Sequence, residues 1–329
     1  MKKAIIIIVY FGKLPKMFPL FLEGCRRNSG FNWLIYTDQE CENVPQNVNM
    51  VKSSLEEVEN LVKAKIDKNL SLKRAYKLCD YKVAYGLLFE DYITDYDYWG
   101  YGDLDVVYGD IDSFIRPKMD EGYDKIYTLG HLSLFRNTPE INSLFMDRNA
   151  KRENIRNCIE IMQCEKNGAY DERHGINELM IEKGFKVFCK IDCMDMGLYY
   201  DRIMCTAKED MIFALGEDQP SIKHSKTNYK YQAFYYKDGR VYRVYYDNKH
   251  RKMRNEEFAY AHYRVKKYEM PTVYNSFWIT KKGFINDSRL DKDPIEWISK
   301  QDIEALNSRG GIKENIKHYI LNRRRYGRK

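Results

Sequence analysis

The fold class is decided near the N-terminus, where residues 4–38 read AIIIIVYFGKLPKMFPLFLEGCRRNSGFNWLIYTD. The first six of these residues are apolar and mostly β-branched, as in a central parallel strand that is buried on both faces. A loop with Gly12 and Pro15 follows, then a helical segment over 18–28 and a second apolar strand over 31–36. Strand, helix and strand in this order predict a βαβ unit, which is typical of an α/β domain.

Hydrophobic periodicity predicts further elements along the rest of the chain. Apolar residues recur at three- and four-residue steps between Ser71 and Phe89, which indicates a helix. Aromatic and β-branched residues flank Asp238-Gly239, a strong two-residue turn signal, so residues 229–247 are predicted to form a β-hairpin. The other predicted elements are helical segments over 53–69 and within 141–183, and strands over 123–129, 132–135 and 185–191.

No internal repeat or clear linker interrupts the sequence, so we expect one main domain over residues 1–275. A basic extension over residues 276–329 follows, and its charged sequence after Asp291 predicts helix. The extension ends in a group of cations: Arg323, Arg324, Arg325, Arg328 and Lys329. Such cations are attracted to anionic lipid headgroups, which favours a peripheral membrane contact. A disordered solubilising tail is the alternative.

The composition is that of a globular protein. Of 329 residues, 44% are hydrophobic and 31% charged, which excludes disorder as the main state. The net charge of +7 is too small and diffuse to require a nucleic-acid partner. The 28 tyrosines suit ligands with apolar faces and hydroxyls, such as sugars. Because neither a secretion signal nor a membrane-spanning run is evident, we expect a cytoplasmic protein with reduced thiols.

Two carboxylates in the middle of the sequence carry the first chemical signal. Asp103 and Asp105 flank Leu104 after an aromatic segment. If this segment is extended, alternate side chains share a face and the two carboxylates converge. Convergent carboxylates repel each other unless a cation lies between them, and Mg²⁺ or Mn²⁺ suits oxygen ligands together with substrate phosphates. This pattern predicts a site for a metal and a nucleoside diphosphate.

Two longer stretches around this pair carry a family resemblance. Residues 77–86 read KLCDYKVAYG, and residues 98–110 read YWGYGDLDVVYGD. The sequence here resembles a family of bacterial glycosyltransferases from surface-polysaccharide gene sets, related to the GT-A sugar transferases with a metal-binding Asp-x-Asp. The resemblance extends from the first strand to about residue 270. It implies a Rossmann-like nucleotide-sugar fold with a mixed central sheet flanked by helices. It also implies metal-dependent sugar transfer from a nucleoside-diphosphate donor, with UDP expected. The acceptor would be a surface glycan, which is lipid-linked in many such systems.

The resemblance also implies roles for individual residues. Metal ligands would be Asp103, Asp105 and a late histidine, His262. The nucleoside and donor sugar would meet Tyr10, Phe11, Gly12, Asp38, Asp80, Lys82 and Leu104, and the diphosphate would meet Arg264, Lys266 and Lys267. A base for an inverting reaction would come from Asp171 or Glu172, and His131 would touch donor or acceptor.

Each of these residues has a structural alternative, and the function has alternatives as well. Tyr10, Phe11, His131 and His262 are side chains that also pack in cores, while Asp38 and Asp171 are common capping residues. Asp80 and Lys82 are also explained as solvated charges on a helix. Asp103 and Asp105 are also explained as two acids in a solvated turn, and the three late cations as a solvated face. The Asp-x-Asp formally fits a phosphatase of the haloacid-dehalogenase type, and the tyrosines with the positive charge fit a carbohydrate- or nucleic-acid-binding module without catalysis.

Overall fold

The computed structural model describes residues 2–151, 153–199, 202–206 and 229–308. These residues form two compact units. The first unit holds the described residues within 2–104 and 111–190, and the second holds those within 105–110, 191–206 and 229–308. The chain first passes from one unit to the other between Leu104 and Asp105. The division into a main domain over residues 1–275 and an extension over residues 276–329 stays a prediction.

The strands in chain order are β1 (Ala4–Tyr10), β2 (Phe31–Thr37), β3 (Val48–Lys52), β4 (Tyr98–Gly102), β5 (Val106–Tyr108), β6 (Lys125–Leu129), β7 (Leu132–Arg136), β8 (Val187–Phe188), β9 (Cys193–Tyr199), β10 (Arg202–Thr206), β11 (Gln232–Lys237), β12 (Arg240–Asp247), β13 (Lys252–Phe258), β14 (Tyr260–Tyr263), β15 (Ser276–Thr280) and β16 (Gly283–Ile285).

The α-helices are α1 (Phe18–Arg27), α2 (Leu55–Lys65), α3 (Tyr85–Leu88), α4 (Glu90–Ile93), α5 (Ile111–Asp120), α6 (Pro139–Ser143), α7 (Cys158–Gln163), α8 (Ile176–Glu182), α9 (Pro294–Trp297) and α10 (Lys300–Ser308), with 3₁₀ helices over Ala75–Ala84, Leu144–Met146 and Ser288–Asp291. Every helix among the described residues is too short or too polar to span a lipid bilayer.

The first unit is built on a mixed sheet in the order β3-β2-β1-β4-β7-β6-β8, flanked by helices. Strand β1 pairs in parallel with β2 and β4, so the predicted βαβ opening is confirmed. The antiparallel pairs are β4 with β7 and β6 with β7. The apolar run in β1 is buried as expected, with Ile6 and Ile7 fully inaccessible. The structure is thus of mixed α/β class.

The predicted helix over 71–89 is instead the 3₁₀ helix Ala75–Ala84 followed by the short α3. Three charged side chains in this segment, Lys77, Asp80 and Lys82, are buried and bonded to groups more than 20 residues away. Since each of these side chains must meet a fixed partner, tertiary contacts outweigh the α-helical preference of the sequence.

Two other predicted segments are shorter or less regular than expected. The strand predicted over 185–191 is limited to the two residues of β8. Leu104 and Asp105 form a bend between β4 and β5, so the Asp-x-Asp pair does not lie in an extended strand. The bend occurs because β4 belongs to the sheet of the first unit, whereas β5 pairs with β14 in the second.

The second unit contains two sheets. One has the order β10-β9-β14-β5, and the other is an antiparallel sheet in the order β13-β12-β11-β15-β16. Strands β11 and β12 form the predicted hairpin, with Asp238 and Gly239 at φ values of 50° and 84° in its turn. Both residues at positive φ match the two-residue turn that Asp-Gly favours.

The extension that starts at residue 276 begins with strands rather than helix. Ser276–Thr280 pairs with β11, and its buried residues Phe277, Trp278 and Ile279 explain the preference for a strand. The helices expected after Asp291 are present as α9 and α10. The C-terminal cations, from Arg323 to Lys329, lie outside the described residues.

Candidate functional site

Asp103 follows the carboxyl end of β4 in the first unit and is held by a buried lysine. Lys82 Nζ donates to Asp103 Oδ1 at 2.5 Å and to the carbonyl oxygen of Gly130 at 2.9 Å. The Lys82 side chain is only 9% exposed, whereas that of Asp103 is 34% exposed. The lysine therefore fixes one oxygen of Asp103 while the carboxylate stays accessible.

The charge of Lys82 is maintained by its neighbours. Burial alone would lower the pKa of the Lys82 ammonium, but the nearby carboxylates of Asp103 and Asp171 hold it well above its usual value. The ammonium also lies 5.8 Å from the ring centroid of Tyr101. Lys82 is thus a permanent cation at the base of an acidic group of residues.

Asp171 and Glu172 lie in the turn before α8 and approach the hairpin between β6 and β7. Glu172 Oε1 accepts a hydrogen bond from the Gly130 amide at 2.9 Å. A Cβ atom at Gly130 would lie 2.5 Å from Asp171 Oδ2, so glycine is required for this approach. The capping alternative for Asp171 does not apply, because Gly175 is the N-cap of α8 and Glu178 accepts from its amide.

The Asp171 carboxyl has an unusual acidity. Burial raises its pKa to about 7; Lys82 opposes this shift, while Glu172 and Asp103 add to it. Asp171 is 5% exposed. Its carboxyl therefore exchanges a proton close to neutral pH, in the range that suits a general base.

His131 lies with Gly130 in the turn between β6 and β7 and is 3% exposed. Its carbonyl oxygen accepts from the Asp103 amide at 3.2 Å. The His131 carbonyl therefore holds the backbone of Asp103 in place. The burial of the His131 side chain agrees with the packing alternative. Leu104 is 4% exposed and is likewise accounted for by packing.

The loop after β1 and the acid after β2 meet at one edge of the first unit's sheet. Asp38 Oδ1 accepts from the Gly12 amide at 2.9 Å, and this bond, followed by one from Gln39, lowers the pKa of the Asp38 carboxyl. Gly12 has a φ of 100°, a conformation that favours glycine. Tyr10 and Phe11, both half-buried, lead into this turn. The four residues predicted to contact the nucleoside are therefore neighbours in space.

Asp80 occupies a different position from the one expected of a donor-binding residue. It is fully buried, and its carboxylate accepts from Lys77 Nζ at 2.8 Å and from the amides of Gly168 and Ala169 at 3.0 Å. These bonds hold the 3₁₀ helix Ala75–Ala84 against the loop that leads to Asp171. A structural role accounts for this residue.

In the second unit, His262 lies between two carboxylates. Its Nδ1 is 2.9 Å from Asp195 Oδ1, and its Nε2 is 3.4 Å from Asp105 Oδ1. Burial would lower the pKa of the imidazole, but the bonds to Asp105 and Asp195 raise it to about 10. The side chain is 11% exposed. Without a metal, the histidine is thus a cation that neutralises the two acids.

The strand pairing of the second unit produces this arrangement. β14 runs parallel to β9, with His262 opposite Asp195, and antiparallel to β5, with His262 opposite Val106. Arg264, directly after β14, places its Nε 3.1 Å from Asp195 Oδ1 and is half-exposed. Lys266 and Lys267 lie exposed in the bend that follows. The cations predicted to bind diphosphate therefore extend from the strand that carries His262.

Sequence reasoning missed Asp195 and Gly130. Asp195 is an acid between two buried methionines, Met194 and Met196, and an acid within an apolar strand is a signal that could have been noticed. Gly130 has no such signal, since the need for glycine arises only from carboxylates that lie 41 and 42 residues later in the chain.

One family match places the chain among known sequences. A family model covers residues 6–288 and is described as a family of unknown function, DUF6625. The chain belongs to this family. The matched range includes every candidate residue from Tyr10 to Lys267, and the DUF6625 description assigns no activity. A comparison with curated proteins gave no match.

Proposed function

We propose that this chain is a metal-dependent glycosyltransferase with a GT-A-like fold. It would transfer a sugar from a nucleoside-diphosphate donor, expected to be a UDP-sugar, to a hydroxyl of a surface-polysaccharide acceptor. The observation that carries the proposal is the position of His262 between Asp195 and Asp105. In metal sites, a ligating histidine usually directs its second ring nitrogen to a carboxylate, as His262 does to Asp195.

The donor atoms suit Mn²⁺ or Mg²⁺. Asp105 supplies carboxylate oxygens and is 44% exposed, and His262 Nε2 points towards it. Asp103 is joined to Asp105 through Leu104 and would supply a further carboxylate. Carboxylates select hard divalent cations, and an imidazole shifts the preference towards Mn²⁺. When bound, such an ion would neutralise the diphosphate leaving group.

The residues of the chain would divide the remaining tasks. Arg264, Lys266 and Lys267 would bind the diphosphate oxygens by charge-assisted hydrogen bonds. The turn with Tyr10, Phe11, Gly12 and Asp38 would hold the nucleoside, since aromatic rings stack on bases and carboxylates accept from ribose or base.

An acid from the turn before α8 would remove the proton of the acceptor hydroxyl. Asp171 is favoured by its pKa of about 7, and Glu172 by its greater exposure and its fixed orientation against Gly130. Replacing the active base by its amide is expected to abolish turnover while Mn²⁺ binding is retained. If Asp171→Asn and Glu172→Gln both keep full activity, the role assigned to this pair is wrong.

Metal binding is the first test. Calorimetric titration with Mn²⁺ should show binding to the intact chain and at least tenfold weaker binding to Asp105→Asn and His262→Gln. Asp291→Asn is a matched control, because Asp291 is an exposed acid of the same unit outside the site. Equal affinity of Asp105→Asn and the parent would contradict the proposed ligand set.

Turnover is the second test. A panel of nucleotide sugars incubated with the chain and Mn²⁺ should show slow donor hydrolysis for at least one sugar, lost on EDTA addition. Activity on no member of the panel, with the metal bound, would argue for a binding module instead. The enzyme would act in the cytoplasm on a lipid-linked acceptor, and its C-terminal cations would contact the membrane.

The contact between Lys82 and Asp103 also suits the phosphatase alternative. Lys82 contacts Asp103, and a lysine beside the nucleophilic acid is what such a phosphatase requires. Release of phosphate from p-nitrophenyl phosphate, abolished in Asp103→Asn, would favour this alternative over sugar transfer.

A further inference from the structure

A cavity of about 470 Å³ lies in the first unit beside the start of the 3₁₀ helix Ala75–Ala84. It is lined by two segments, residues 71–77 and 162–166. None of the described lining residues belongs to the metal or base candidates discussed above. Ligand sites for small molecules commonly have volumes of about 300–1,000 Å³, so the cavity is large enough for an organic ligand.

The lining is strongly basic. It contains four cations: Lys73, Arg74, Lys77 and Lys166. Against them stand Glu165 of the lining and Asp80, which pairs with Lys77 behind it. Two positive charges therefore remain in excess. Cations gathered around one cavity repel each other, and an anion that enters the cavity relieves this repulsion.

Parts of the lining are already held in place. Lys77 is 4% exposed, and its Nζ is fixed by Asp80 and by the carbonyl oxygens of Ile161 at 2.7 Å and Lys166 at 3.0 Å. Arg74 Nη2 donates to the Glu165 carbonyl oxygen at 2.6 Å and to Asn167 Oδ1 at 2.8 Å. Both segments of the lining are thus tied together before a ligand arrives, which reduces the ordering cost of binding.

The outer cations remain accessible. Lys73, Arg74 and Lys166 are exposed, and Lys166 makes no ion pair among the described residues. Lys73 pairs with Glu165 at 3.1 Å, but both side chains are more than 70% exposed, so this pair is weak. Because this pair is weak, Lys73 is accessible to a phosphate group. The Glu165 carboxylate would repel that phosphate.

We propose that this cavity binds a small molecule that carries two or more phosphate groups. Arg74 would bind phosphate oxygens through its remaining N–H groups, and Lys73 and Lys166 would act as point charges on either side. A single phosphate would engage only some of these cations and fill little of the volume, so the arrangement favours a bisphosphate or diphosphate. The site is separate from the proposed transfer reaction and does not depend on it.

The test uses pyrophosphate as the probe, in the full-length chain, at low ionic strength and with EDTA present so that metal sites do not contribute. Calorimetry should show binding to the parent and at least tenfold weaker binding to the double variant Arg74→Gln/Lys166→Gln. Lys249→Gln, which removes an exposed lysine of the second unit, should bind like the parent. Equal binding by the double variant would overturn the proposal.

Two further measurements separate binding from damage to the fold. Glu165→Gln should tighten pyrophosphate binding several-fold, because it removes the opposing carboxylate, and a misfolded variant would not bind more tightly. Hydrogen exchange should slow at the amides of residues 164–169 when pyrophosphate is added. Unchanged affinity of Glu165→Gln, protection confined to other residues, or citrate binding as tight as that of pyrophosphate would each contradict a phosphate site here.

Discussion

At the scale of single residues, buried charges organise both units. Lys82 compensates Asp103 and Asp171 in the first unit, and His262 compensates Asp105 and Asp195 in the second. Burying charge without a partner is costly, so such groups persist where the surrounding fold supplies opposite charge at short range. Each cation lies beside one partly exposed acid: Lys82 beside Asp103 and His262 beside Asp105. The exposed oxygens of these two acids remain accessible to ligands.

Asp195 provides a test of how the histidine is oriented. Asp195→Asn should weaken Mn²⁺ binding about ten- to a hundredfold, because the carboxylate that orients His262 is lost. Calorimetric titration measures the change. Arg264→Gln is the matched control, since Arg264 contacts the same Asp195 oxygen but is not expected to hold the metal. Loss of affinity in the control but not in Asp195→Asn would show that the arginine, not the histidine, matters.

Asp171 makes stability depend on pH in a defined direction. Its folded pKa is about 7, against about 4 for an unfolded aspartate, so the folded state retains a proton that the unfolded state loses. Its contribution is therefore most favourable below about pH 4, falls as pH rises, and levels off above about pH 7.

Asp171→Asn should remove this dependence. The free energy of unfolding of the variant, relative to the parent, should increase between pH 4 and pH 8 by a few kcal/mol, about 4 at most from a shift of three pKa units. Urea unfolding in EDTA at several pH values measures the difference. Asp120→Asn, at an exposed acid of the same unit, is the matched control for loss of a carboxyl, and a constant difference for Asp171→Asn would mean that folding does not raise the pKa of its carboxyl.

At the scale of elements, the sequence predicted what local pattern determines and missed what distant contacts determine. β1, α1, β2 and the hairpin of β11 and β12 follow from apolar runs, helical spacing and Asp238-Gly239, and all of them are present. The helix predicted over 71–89 is present only in part, as the 3₁₀ helix Ala75–Ala84 and the short α3, because the partners of its buried charges lie far along the chain. The bend at Asp105 was missed because no local signal marks a change of sheet.

The same distinction applies to the candidate site. Asp103 and Asp105 were accessible to sequence reasoning because two acids at this spacing suit a metal, whereas His262 was predicted as a ligand only from the family resemblance. Asp195 stands out in the sequence as an acid within an apolar strand, but its contact with His262 depends on the parallel register of β9 and β14, which no short motif encodes. The proximity of Lys82 to Asp103 likewise arises from tertiary structure.

The 3₁₀ helix Ala75–Ala84 is predicted to depend on its buried ion pair. Asp80→Asn leaves the ammonium of Lys77, which is 4% exposed, without its carboxylate and should lower the free energy of unfolding by about 3–5 kcal/mol. Glu165→Gln breaks the exposed pair with Lys73 close by and should cost less than about 1 kcal/mol. Urea unfolding at pH 7 compares the two variants. Similar costs for both would show that burial does not set the strength of these pairs.

At the scale of the whole molecule, the two units are interleaved along the sequence. Residues 105–110 belong to the second unit, although the chain on both sides of them belongs to the first. Within that segment, β5 forms the edge of the sheet β10-β9-β14-β5 and pairs with the strand that carries His262. A C-terminal fragment that starts after residue 110 therefore lacks one strand of the second unit.

This interleaving predicts that a change in β5 acts on strands more than 80 residues away. Val107 is 1% exposed and lies opposite Ala261 in β14, so Val107→Asp buries a charge without a partner in the second unit. Hydrogen exchange should accelerate in β14 and β9, and less in β1 and β2. Val273→Asp, at a valine of the same unit that is 57% exposed, should leave exchange in these strands unchanged. Because the two substitutions are chemically identical, a difference between them reports burial in the sheet, and equal exchange rates for both would mean that β5 does not support the strand of His262.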